Sequence, residues 1–286
     1  MAEANMSDIK RRIKSIESTI KITSAMKLVS SSKLRKAKAK FESVKPFFAE
    51  IYANMVDLAS RVDAQQLHYV HKHKETSEKS LYIVIGGDRG LAGGFNLNLF
   101  KKVVRTVDKK SVVILPIGKI AISFFRKNGF EILSEFLGIS EEITPEKAYH
   151  ITARILHNYD NDVFDEIHLA YTGFMSTFSQ EPMIKKILPL DFGKSKQGKP
   201  KRSLNYDPAP NAVFSAIVPQ YFAGMLYGGI VESFAAEQAA RSSAMESATG
   251  NAEEIINNLT LKYNRARQFA VTTEIIEIVA GGAAGQ

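Results

Sequence analysis

The sequence predicts an α/β fold combined with a long antiparallel α-helical coiled coil that the N- and C-terminal helices form. Three observations support this prediction. The apolar residues near both chain ends repeat at heptad spacing, which is typical of long packed helices. Strand and helix patterns alternate between these two segments. The length of 286 residues, at roughly 150 residues per domain, fits about two structural units.

The N-terminal segment is helical by its apolar period. Alternate steps of three and four residues from Met6 to Val62 meet 17 positions, of which 14 are apolar. The three polar positions are Thr23, Lys27 and Ser30, and they follow one another in the seam. Because three consecutive polar residues weaken such a seam, we expect that more than a single partner helix meets this stretch.

Two sequence signals bear on the course of this helix. Ser7 can cap its start, with Asp8 in the first turn. Pro46 lacks an N–H and clashes with the preceding turn, so it predicts a break or a kink.

The C-terminal segment repeats the same pattern. The seam runs from Tyr227 to Ala252 and, after one slip near Ile255, from Leu259 to Ala270. About 60 helical residues at ~1.5 Å each span roughly 90 Å, which is more than a globular domain needs. Two such helices can bury their seams only against each other or against partners, and an antiparallel pair is the simplest arrangement.

The middle of the chain has alternating strand and helix patterns. The predicted strands are 81–85, 112–117, 166–171 and 183–190, and the predicted helices are 97–107, 120–127 and one that Thr144 caps ahead of Pro145. The alternation favours a mostly parallel sheet and hence a Rossmann-like α/β domain. The predicted organisation is a coiled-coil helix over 1–62, a surface linker over 63–80, the α/β domain over 81–210 and a coiled-coil helix over 211–286.

The net charge of +8 lies in one segment. Residues 1–45 hold 12 Lys and Arg against four Asp and Glu, whereas the other 241 residues hold 26 of each sign. A solvated coiled-coil face normally mixes Glu with Lys, so charge of one sign indicates an acidic partner surface. A basic amphipathic helix also allows nucleic-acid or lipid binding, and that alternative stays open on the charge alone.

The composition excludes several classes of site. The chain has no Cys, which excludes a disulfide framework, a thiolate metal site and a cysteine nucleophile. No run approaches ~18 consecutive apolar residues, so we expect no membrane span. The first residues show neither an apolar signal region nor a transit leader, so we expect no targeting segment.

One glycine-rich stretch has the position of a phosphate site. Residues 86–96 follow a predicted strand and precede a predicted helix. The G-x-G-x-x-G spacing fails because Asp88 and Ala92 stand where glycines are needed, and no Walker A spacing fits. We predict a tight turn or a docking loop here, with a nucleotide site as the open alternative.

Other candidate sites have less support. Residues 193–199 approach the Walker A pattern, but Pro200 supplies neither a hydroxyl nor an N–H, so a solvated basic loop is predicted. His68, His71 and His73 lie in a polar, Lys-rich linker without matching ligands elsewhere, so we predict no metal site. No Ser/His/Asp or paired-carboxylate arrangement stands out, and we predict no catalytic residues and no cofactor.

Three parts of the sequence resemble the F-type ATP synthase gamma subunit. They are residues 9–37, which include Lys21-Ile-Thr-Ser-Ala-Met-Lys27; the stretch Asp88-Arg-Gly-Leu-Ala-Gly-Gly-Phe-Asn96; and residues 237–252 together with 263–268 and 271–281. The resemblance covers essentially the whole chain. Its departures are small, since Gly282 and Ala236 stand where the family commonly has Ala and Ser. The lack of a transit leader and of a Cys-bearing insertion favours the bacterial form.

The resemblance implies a mechanical function. Such a chain is the non-catalytic central rotor shaft of an ATP synthase, and by rotation it couples ion flow through the membrane ring to ATP synthesis or hydrolysis in the catalytic ring. The coupling ion, H⁺ or Na⁺, stays undecided. The implied partners are the alpha and beta subunits of the catalytic hexamer, the epsilon subunit and the membrane c-ring, with a single copy per complex and no nucleic acid. The implied location is the cytoplasmic face of the bacterial plasma membrane, as a peripheral protein.

The resemblance also implies site residues. Met26, Lys27, Arg241 and Gln268 are the implied contacts to the catalytic ring. Tyr206 is the implied contact of the foot, which is the α/β domain, toward the membrane ring. The basic segment 1–45 would face an acidic lever loop of the catalytic subunits.

The C-terminal end agrees with a rotor on chemical grounds. Ile275, Ile276, Ile278 and Val279 lead into small residues from Gly281 onward. An apolar tip in an apolar sleeve makes few directional hydrogen bonds, so no single angle is strongly preferred, as a bearing requires. A frayed helix end is the alternative interpretation of this tip.

Two rival functions follow from the residues alone. The pI of about 9.4 would fit a nucleic-acid-binding or scaffolding coiled coil. The middle domain would also fit a nucleotide-dependent enzyme, if the glycine-rich stretch bound a phosphate.

Overall fold

Two long helices and a five-stranded sheet form most of the computed structural model, which describes residues 2–61, 67, 69, 70, 79–191 and 209–283. The helices are α1 (Ala2–Arg61), α2 (Phe95–Thr106), α3 (Lys119–Lys127), α4 (Ile139–Glu142), α5 (Pro145–Asp160) and α6 (Pro210–Ala283), and the strands are β1 (Ser80–Ile85), β2 (Val112–Ile117), β3 (Glu131–Ile132), β4 (Glu166–Phe174) and β5 (Gln180–Leu188). Strand β3 and helix α4 are too short to show a period, and the sequence did not predict them.

The sheet has the strand order β3-β2-β1-β4-β5. β1 pairs in parallel with β2 and with β4, and β2 pairs in parallel with β3, whereas β5 runs antiparallel to β4. Every residue of β2 and all but the first residue of β1 are buried, as expected for parallel strands covered on both faces. The prediction of a mostly parallel sheet is confirmed, with β5 as the antiparallel edge.

Helices cover both faces of this sheet. On one face, α2 and α3 supply Phe100 and Phe125 to a buried cluster. On the other face, α5, α1 and α6 supply Ile155, Met55 and Phe222 to a larger cluster. The two terminal helices therefore contribute to the core of the sheet.

The segment predicted as a surface linker is described at residues 67, 69 and 70 and from 79 onward. Leu67, Tyr69 and Val70 are buried in the larger core cluster. The Tyr69 carbonyl oxygen accepts a hydrogen bond from the Leu190 amide at 2.7 Å. At these three residues the prediction of a surface loop is wrong, because their side chains pack in the larger core cluster.

The chain forms two compact units. The first comprises residues 1–30 and 242–286, and we call it the helical unit. The second comprises residues 31–241, and we call it the α/β unit. Each unit takes one part of α1 and one part of α6.

Within the helical unit, α1 and α6 run antiparallel. Thr23 contacts Thr249, and four residues later Lys27 contacts Glu246, which lies three residues earlier on α6. The residue numbers rise on one helix as they fall on the other. The predicted antiparallel pairing is therefore present in this unit.

The same antiparallel order holds within the α/β unit. The rings of Tyr52 and Tyr221 lie 5.9 Å apart, and Phe48 packs against Gly224. A Cβ atom at position 224 would overlap the Phe48 ring, so the glycine lets the two helices approach closely. The predicted fold class, α/β with a long antiparallel pair of terminal helices, is confirmed.

Pro46 does not end α1, so of the predicted break or kink the break is wrong. The helix also begins at Ala2, before the predicted cap at Ser7. An interior proline costs about 3 kcal/mol, whereas burying one large apolar side chain contributes about 1.5–3 kcal/mol. Ile51 and Met55, in the turns after the proline, are both buried in the core. Their packing outweighs the missing hydrogen bond.

Helix α6 contains a segment between Asn211 and Ile276 that is long and apolar enough to cross a membrane by length and composition. Half of the 18-residue stretch that meets this criterion is buried inside the protein. Phe214, Val218 and Phe222 of α6 belong to the core of the sheet. A buried core helix meets the same criterion, so packing accounts for this composition.

Candidate functional site: a buried ion pair and an exposed apolar helix surface

The glycine-rich turn after β1 is held by two side chains of α6. Arg241 donates from Nη2 to the carbonyl oxygens of Arg89 at 2.9 Å and Gly90 at 3.2 Å, and from Nε to that of Gly90 at 3.2 Å. The same Nη2 lies 2.5 Å from Oε1 of Glu237, one helical turn earlier. Because its partners in the turn are main-chain oxygens, Arg241 fixes the backbone conformation of the turn.

The Glu237–Arg241 pair is buried, with 4% and 6% of the two residues exposed. Burial raises the pKa of the Glu237 carboxyl, and the positive charge of Arg241 acts against that rise. Removing one partner of a buried ion pair costs about 3–5 kcal/mol, because the other charge is left uncompensated. Each residue of the pair therefore depends on the other.

Two glycines allow the chain to pass close to this pair. A Cβ atom at Gly87 would lie 2.8 Å from Oε1 of Glu237. Gly118 has φ +92°, and a Cβ atom there would overlap the Gly86 carbonyl oxygen. The carboxyl ends of β1 and β2 thus meet at a place where only glycine fits.

Polar side chains of the turn accept hydrogen bonds from main-chain amides within the α/β unit. Asp88 Oδ1 accepts from the Lys119 amide at 3.0 Å and from the Gly138 amide at 3.3 Å. Asn96 Oδ1 accepts from the Gly87 amide at 2.8 Å. A bound phosphate needs main-chain amides that are free to donate, and these three amides already donate to side chains. The arrangement therefore favours a structural turn over the nucleotide site that the sequence left open.

Two of the three polar seam residues of α1 contact polar side chains of α6 inside the helical unit. The Thr23 and Thr249 hydroxyls lie 2.7 Å apart, and Lys27 Nζ lies 2.7 Å from Oε1 of Glu246. Ser30 is buried, with 2% exposed. The C-terminal helix thus supplies matching polar groups for Thr23 and Lys27. That more than this one helix meets the stretch stays a prediction.

The helical unit carries many exposed large apolar side chains. They are Ile22, Leu28, Val29, Ile255, Leu261, Phe269, Val271, Ile275 and Ile276, with exposed fractions between 48% and 72%. Single exposed apolar residues are ordinary, but a concentration of nine on two paired helices indicates a surface that partners cover.

The predicted ring contacts lie in different surroundings. Met26 is half-buried, Gln268 is exposed, and Lys27 is half-buried in its ion pair with Glu246. Arg241 belongs to the α/β unit, whereas the other three belong to the helical unit. Tyr206 and the side chains of Ile278 and Val279 lie outside the described residues.

Sequence reasoning did not single out three partners in these contacts. Glu237 could have been found from its spacing of four residues before Arg241, which places both side chains on one helix face. Glu246 and Thr249 lie directly beside the seam positions 245 and 248, where they could have been matched to the polar seam of α1.

Several lysines of the basic segment have partners within the α/β unit. Lys33 Nζ lies 2.6 Å from Oε1 of Glu141, and Lys40 Nζ donates to the Ile143 carbonyl. Lys38 Nζ stands 5.3 Å from the centre of the Phe174 ring. Part of the charge attributed to an acidic partner is therefore used to hold α1 in its own fold.

The described ranges contain no group of three or more His, Cys, Asp or Glu that could hold a metal ion. The predicted linker histidines, His68, His71 and His73, lie outside those ranges, as does the basic loop 193–200.

Comparison with known proteins relates the chain to one family throughout its length. The family model described as ATP synthase matches residues 5–284. Two proteins named ATP synthase gamma chain, from Ruminococcus albus and Alkaliphilus metalliredigens, are 44% and 43% identical and align over 96% and 98% of both chains. A relative from Acetobacterium woodii named ATP synthase gamma chain, sodium ion specific, is 39% identical over 99% of both chains.

Solved structures agree with the fold. A chain in the structure of the Euglena gracilis mitochondrial ATP synthase, OSCP/F1/c-ring in rotational state 3, superimposes with a TM-score of 0.70 at 20% identity. The alignment covers 99% of this chain and 95% of that one. The fold class is therefore that of a chain of this ATP synthase. With relatives above 40% identity over nearly the whole length, the chain belongs to the ATP synthase gamma chain family. Its function is that of the central stalk, as a subunit of the ATP synthase complex.

Proposed function

We propose that the helical unit is the part of this stalk that turns inside the catalytic ring of alpha and beta subunits. The observation that carries the proposal is the set of nine large apolar side chains exposed on the paired helices. Apolar contacts are non-directional, so a surface of this kind can slide past a partner without a strongly preferred angle.

Rotation would act on the catalytic sites by population shift. The surface of the helical unit is not the same all round, since charged pairs such as Lys27–Glu246 share it with apolar residues such as Leu28. Each catalytic subunit would meet a different face of the stalk in turn. A face that binds one conformation of a subunit better than another shifts that subunit toward it, and so changes its affinity for nucleotide.

The proposed contacts to the catalytic ring are Met26, Lys27, Gln268 and Arg241. Gln268 is exposed and is available for such a contact without any change in the chain. Lys27 would have to share its ammonium group with Glu246 or leave it. Arg241 would act chiefly by fixing residues 89–90, which are exposed and can present the turn to a partner.

The proposed tip of the bearing is the end of α6. Ile275 and Ile276 are exposed by 55% and 61%, which fits a helix end surrounded by an apolar sleeve. Ile278 and Val279 would continue this tip.

The proposed partners of the α/β unit are the epsilon subunit and the membrane c-ring, with Tyr206 toward the ring. One copy of the chain per complex, at the cytoplasmic face of the bacterial plasma membrane, completes the proposal. The coupling ion would be selected in the membrane ring, so both H⁺ and Na⁺ are compatible with this chain.

Co-purification tests the proposal. The tagged chain, expressed with the alpha and beta subunits, should isolate a hexameric ATPase. The exposed residue Leu261, changed to Ser, should lower the yield of that complex, whereas its exposed neighbour Lys262, changed to Ser, should leave the yield unchanged. Failure of the unaltered chain to retain the hexamer would refute the stalk assignment, and equal yields for the two variants would refute the apolar contact surface.

A further inference from the structure

A cavity of about 200 Å³ opens in the α/β unit between α1, α4 and α6. Lys33, Lys36 and Lys40 of α1 line one side, and Ser140 and Glu141 of α4 line another. The remaining wall is apolar and comes from α6. The cavity thus combines several positive charges with an apolar lining. The low dielectric constant of that lining strengthens electrostatic interactions in the cavity.

Ser140 is a buried polar residue in this cavity, with 6% of its surface exposed. Its Oγ has no hydrogen-bond partner among the residues that the structure describes. A buried hydroxyl without a partner costs about 1–3 kcal/mol, and such groups are uncommon in folded proteins. Because less than 1 Å² of this oxygen is exposed, a ligand in the cavity would supply the missing partner after the hydroxyl rotates about χ1 toward it.

The charges around the cavity do not balance. Lys33 is paired with Glu141 at 2.6 Å, which is the one carboxylate that lines the cavity. Lys40 donates to the Ile143 carbonyl oxygen, which carries no compensating charge. The pKa of Lys40 is lowered by burial and by the nearby positive charge of Lys147. An anion placed among these groups would relieve their mutual repulsion.

We propose that this cavity binds a small oxyanion of the phosphate class, held by the Lys36 and Lys40 ammonium groups and the Ser140 hydroxyl. Pockets for drug-sized ligands occupy about 300–1,000 Å³, so a volume of about 200 Å³ is enough for a tetrahedral oxyanion and too small to enclose a whole nucleotide. The site is separate from the proposed ring contacts and does not depend on the proposal that the helical unit rotates.

A bound oxyanion would link α1 to α4 inside the α/β unit. Because a ligand that binds only the folded state stabilises that state, phosphate should raise the unfolding temperature of the chain in a saturable way. The measurement uses the purified full chain in sodium phosphate, with sodium chloride at equal ionic strength as the reference. Isothermal calorimetry with inorganic phosphate gives the dissociation constant directly, and ADP titrated in the same way tests whether a nucleotide is the source of the phosphate group.

Two variants and one control connect binding to this cavity. Lys36→Gln removes an exposed ammonium group, and Ser140→Ala removes only the unpartnered hydroxyl. Each should weaken phosphate binding about tenfold, which is the loss expected for one hydrogen bond to a charged group. Lys101→Gln on α2 removes an equal charge from an exposed position elsewhere and should leave the affinity unchanged.

The proposal is overturned if phosphate stabilises the chain no more than chloride does, or if all three variants bind phosphate alike. Saturable binding of ADP without binding of phosphate would also overturn it. Lys36 is exposed, so the result with Lys36→Gln decides the matter even if Ser140→Ala does not fold.

Discussion

Arg241 makes its hydrogen bonds within the chain, to the main chain of the glycine-rich turn and to Glu237. At the scale of single residues, this contact determines what a substitution of Arg241 would measure. A loss of ATPase turnover in the complex could come from a lost contact with the ring or from a loosened turn. A stability measurement on the chain separates the two effects.

We predict that Arg241→Ala lowers the free energy of unfolding of the chain by about 3–5 kcal/mol, because the buried carboxylate of Glu237 loses its partner. Urea denaturation followed by circular dichroism measures this change. The double variant Arg241→Met with Glu237→Gln should recover most of the loss, since it leaves no buried charge behind. Additive losses in the double variant would show that the two residues do not form a coupled pair.

Gly87 offers a second test at the same site. We predict that Gly87→Ala destabilises the chain by about 1–3 kcal/mol, because the new methyl group would lie 2.8 Å from Oε1 of Glu237 and push it from Arg241. Gly90→Ala is the matched control, since a Cβ atom at Gly90 meets nothing within 4 Å. Thermal unfolding of both variants measures the difference, and equal melting temperatures would contradict the close approach.

Glu232 links stability to pH. Burial raises the pKa of its carboxyl above the ordinary value of 4.5, although the Phe174 amide donates to it. A carboxyl whose folded pKa is raised contributes stability below its unfolded pKa, and that contribution is lost as the pH rises through the folded pKa. Glu232→Gln, which keeps the acceptor but cannot ionise, should therefore gain stability relative to the unaltered chain as the pH rises from the ordinary carboxyl pKa of 4.5 through the higher folded pKa. Parallel pH profiles of the two proteins in urea denaturation would contradict this.

At the scale of elements, α1 and α6 combine an apolar seam with matched polar pairs. Thr23 and Thr249 share a hydrogen bond of 2.7 Å in the helical unit. A polar pair in such a seam restricts which register the two helices can adopt, because a shift would break this bond and leave each hydroxyl with only the carbonyl oxygen of its own helix. The pair Lys27–Glu246 also favours this register of the two helices, although its side chains are more exposed.

We predict that Thr249→Val lowers the stability of the full chain by about 0.5–1.5 kcal/mol, because the partly buried Thr23 hydroxyl loses this bond and keeps its bond to the Ile20 carbonyl. The double variant with Thr23→Val should cost less than the sum of the single changes. Thr272→Val is the control, since the Thr272 hydroxyl is exposed and bonds only to the Gln268 carbonyl of its own helix. If Thr249→Val and Thr272→Val behave alike in denaturant, the polar pair has no structural role.

The regular elements could be predicted from the sequence because their apolar periods are long. The seam positions from Met6 to Leu58 of α1 and the apolar run of β2 show the type of each element without any tertiary information. The break predicted at Pro46 was wrong because the free-energy cost of a proline can be seen locally in the sequence. The packing of Ile51 and Met55 that compensates for this cost involves residues distant in sequence. The antiparallel direction of β5 likewise depends on its partner β4, which a single strand pattern does not reveal.

The candidate site was harder to predict, because it also depends on contacts between residues that are distant in sequence. The positions of Arg241 and of the glycine-rich turn were visible in the sequence, but 151 residues separate Arg241 from Gly90, and no local pattern shows that they meet. The exposed fractions of Leu28 and Phe269 also could not be predicted, since the same helices carry both buried and exposed apolar residues.

At the scale of the whole molecule, the net charge of +8 has a more limited meaning than the pI of about 9.4 suggests. Its excess lies in residues 1–45, and within that segment Lys27, Lys33 and Lys40 have partners inside the chain. The charge therefore serves the internal packing of α1 and, as the resemblance implies, would also face an acidic loop of the catalytic subunits. A nucleic-acid site is not needed to account for it.

Rotation of the chain inside its complex is the central claim, and one measurement tests it most directly. The chain has no Cys, so Phe178→Cys, in the exposed turn between β4 and β5, gives a single attachment point for a bead. With the catalytic hexamer fixed to a surface, addition of ATP should turn the bead in one direction, and the rotation should stop when the ATP is removed. A bead that stays at a fixed angle while the same complexes hydrolyse ATP would contradict the account.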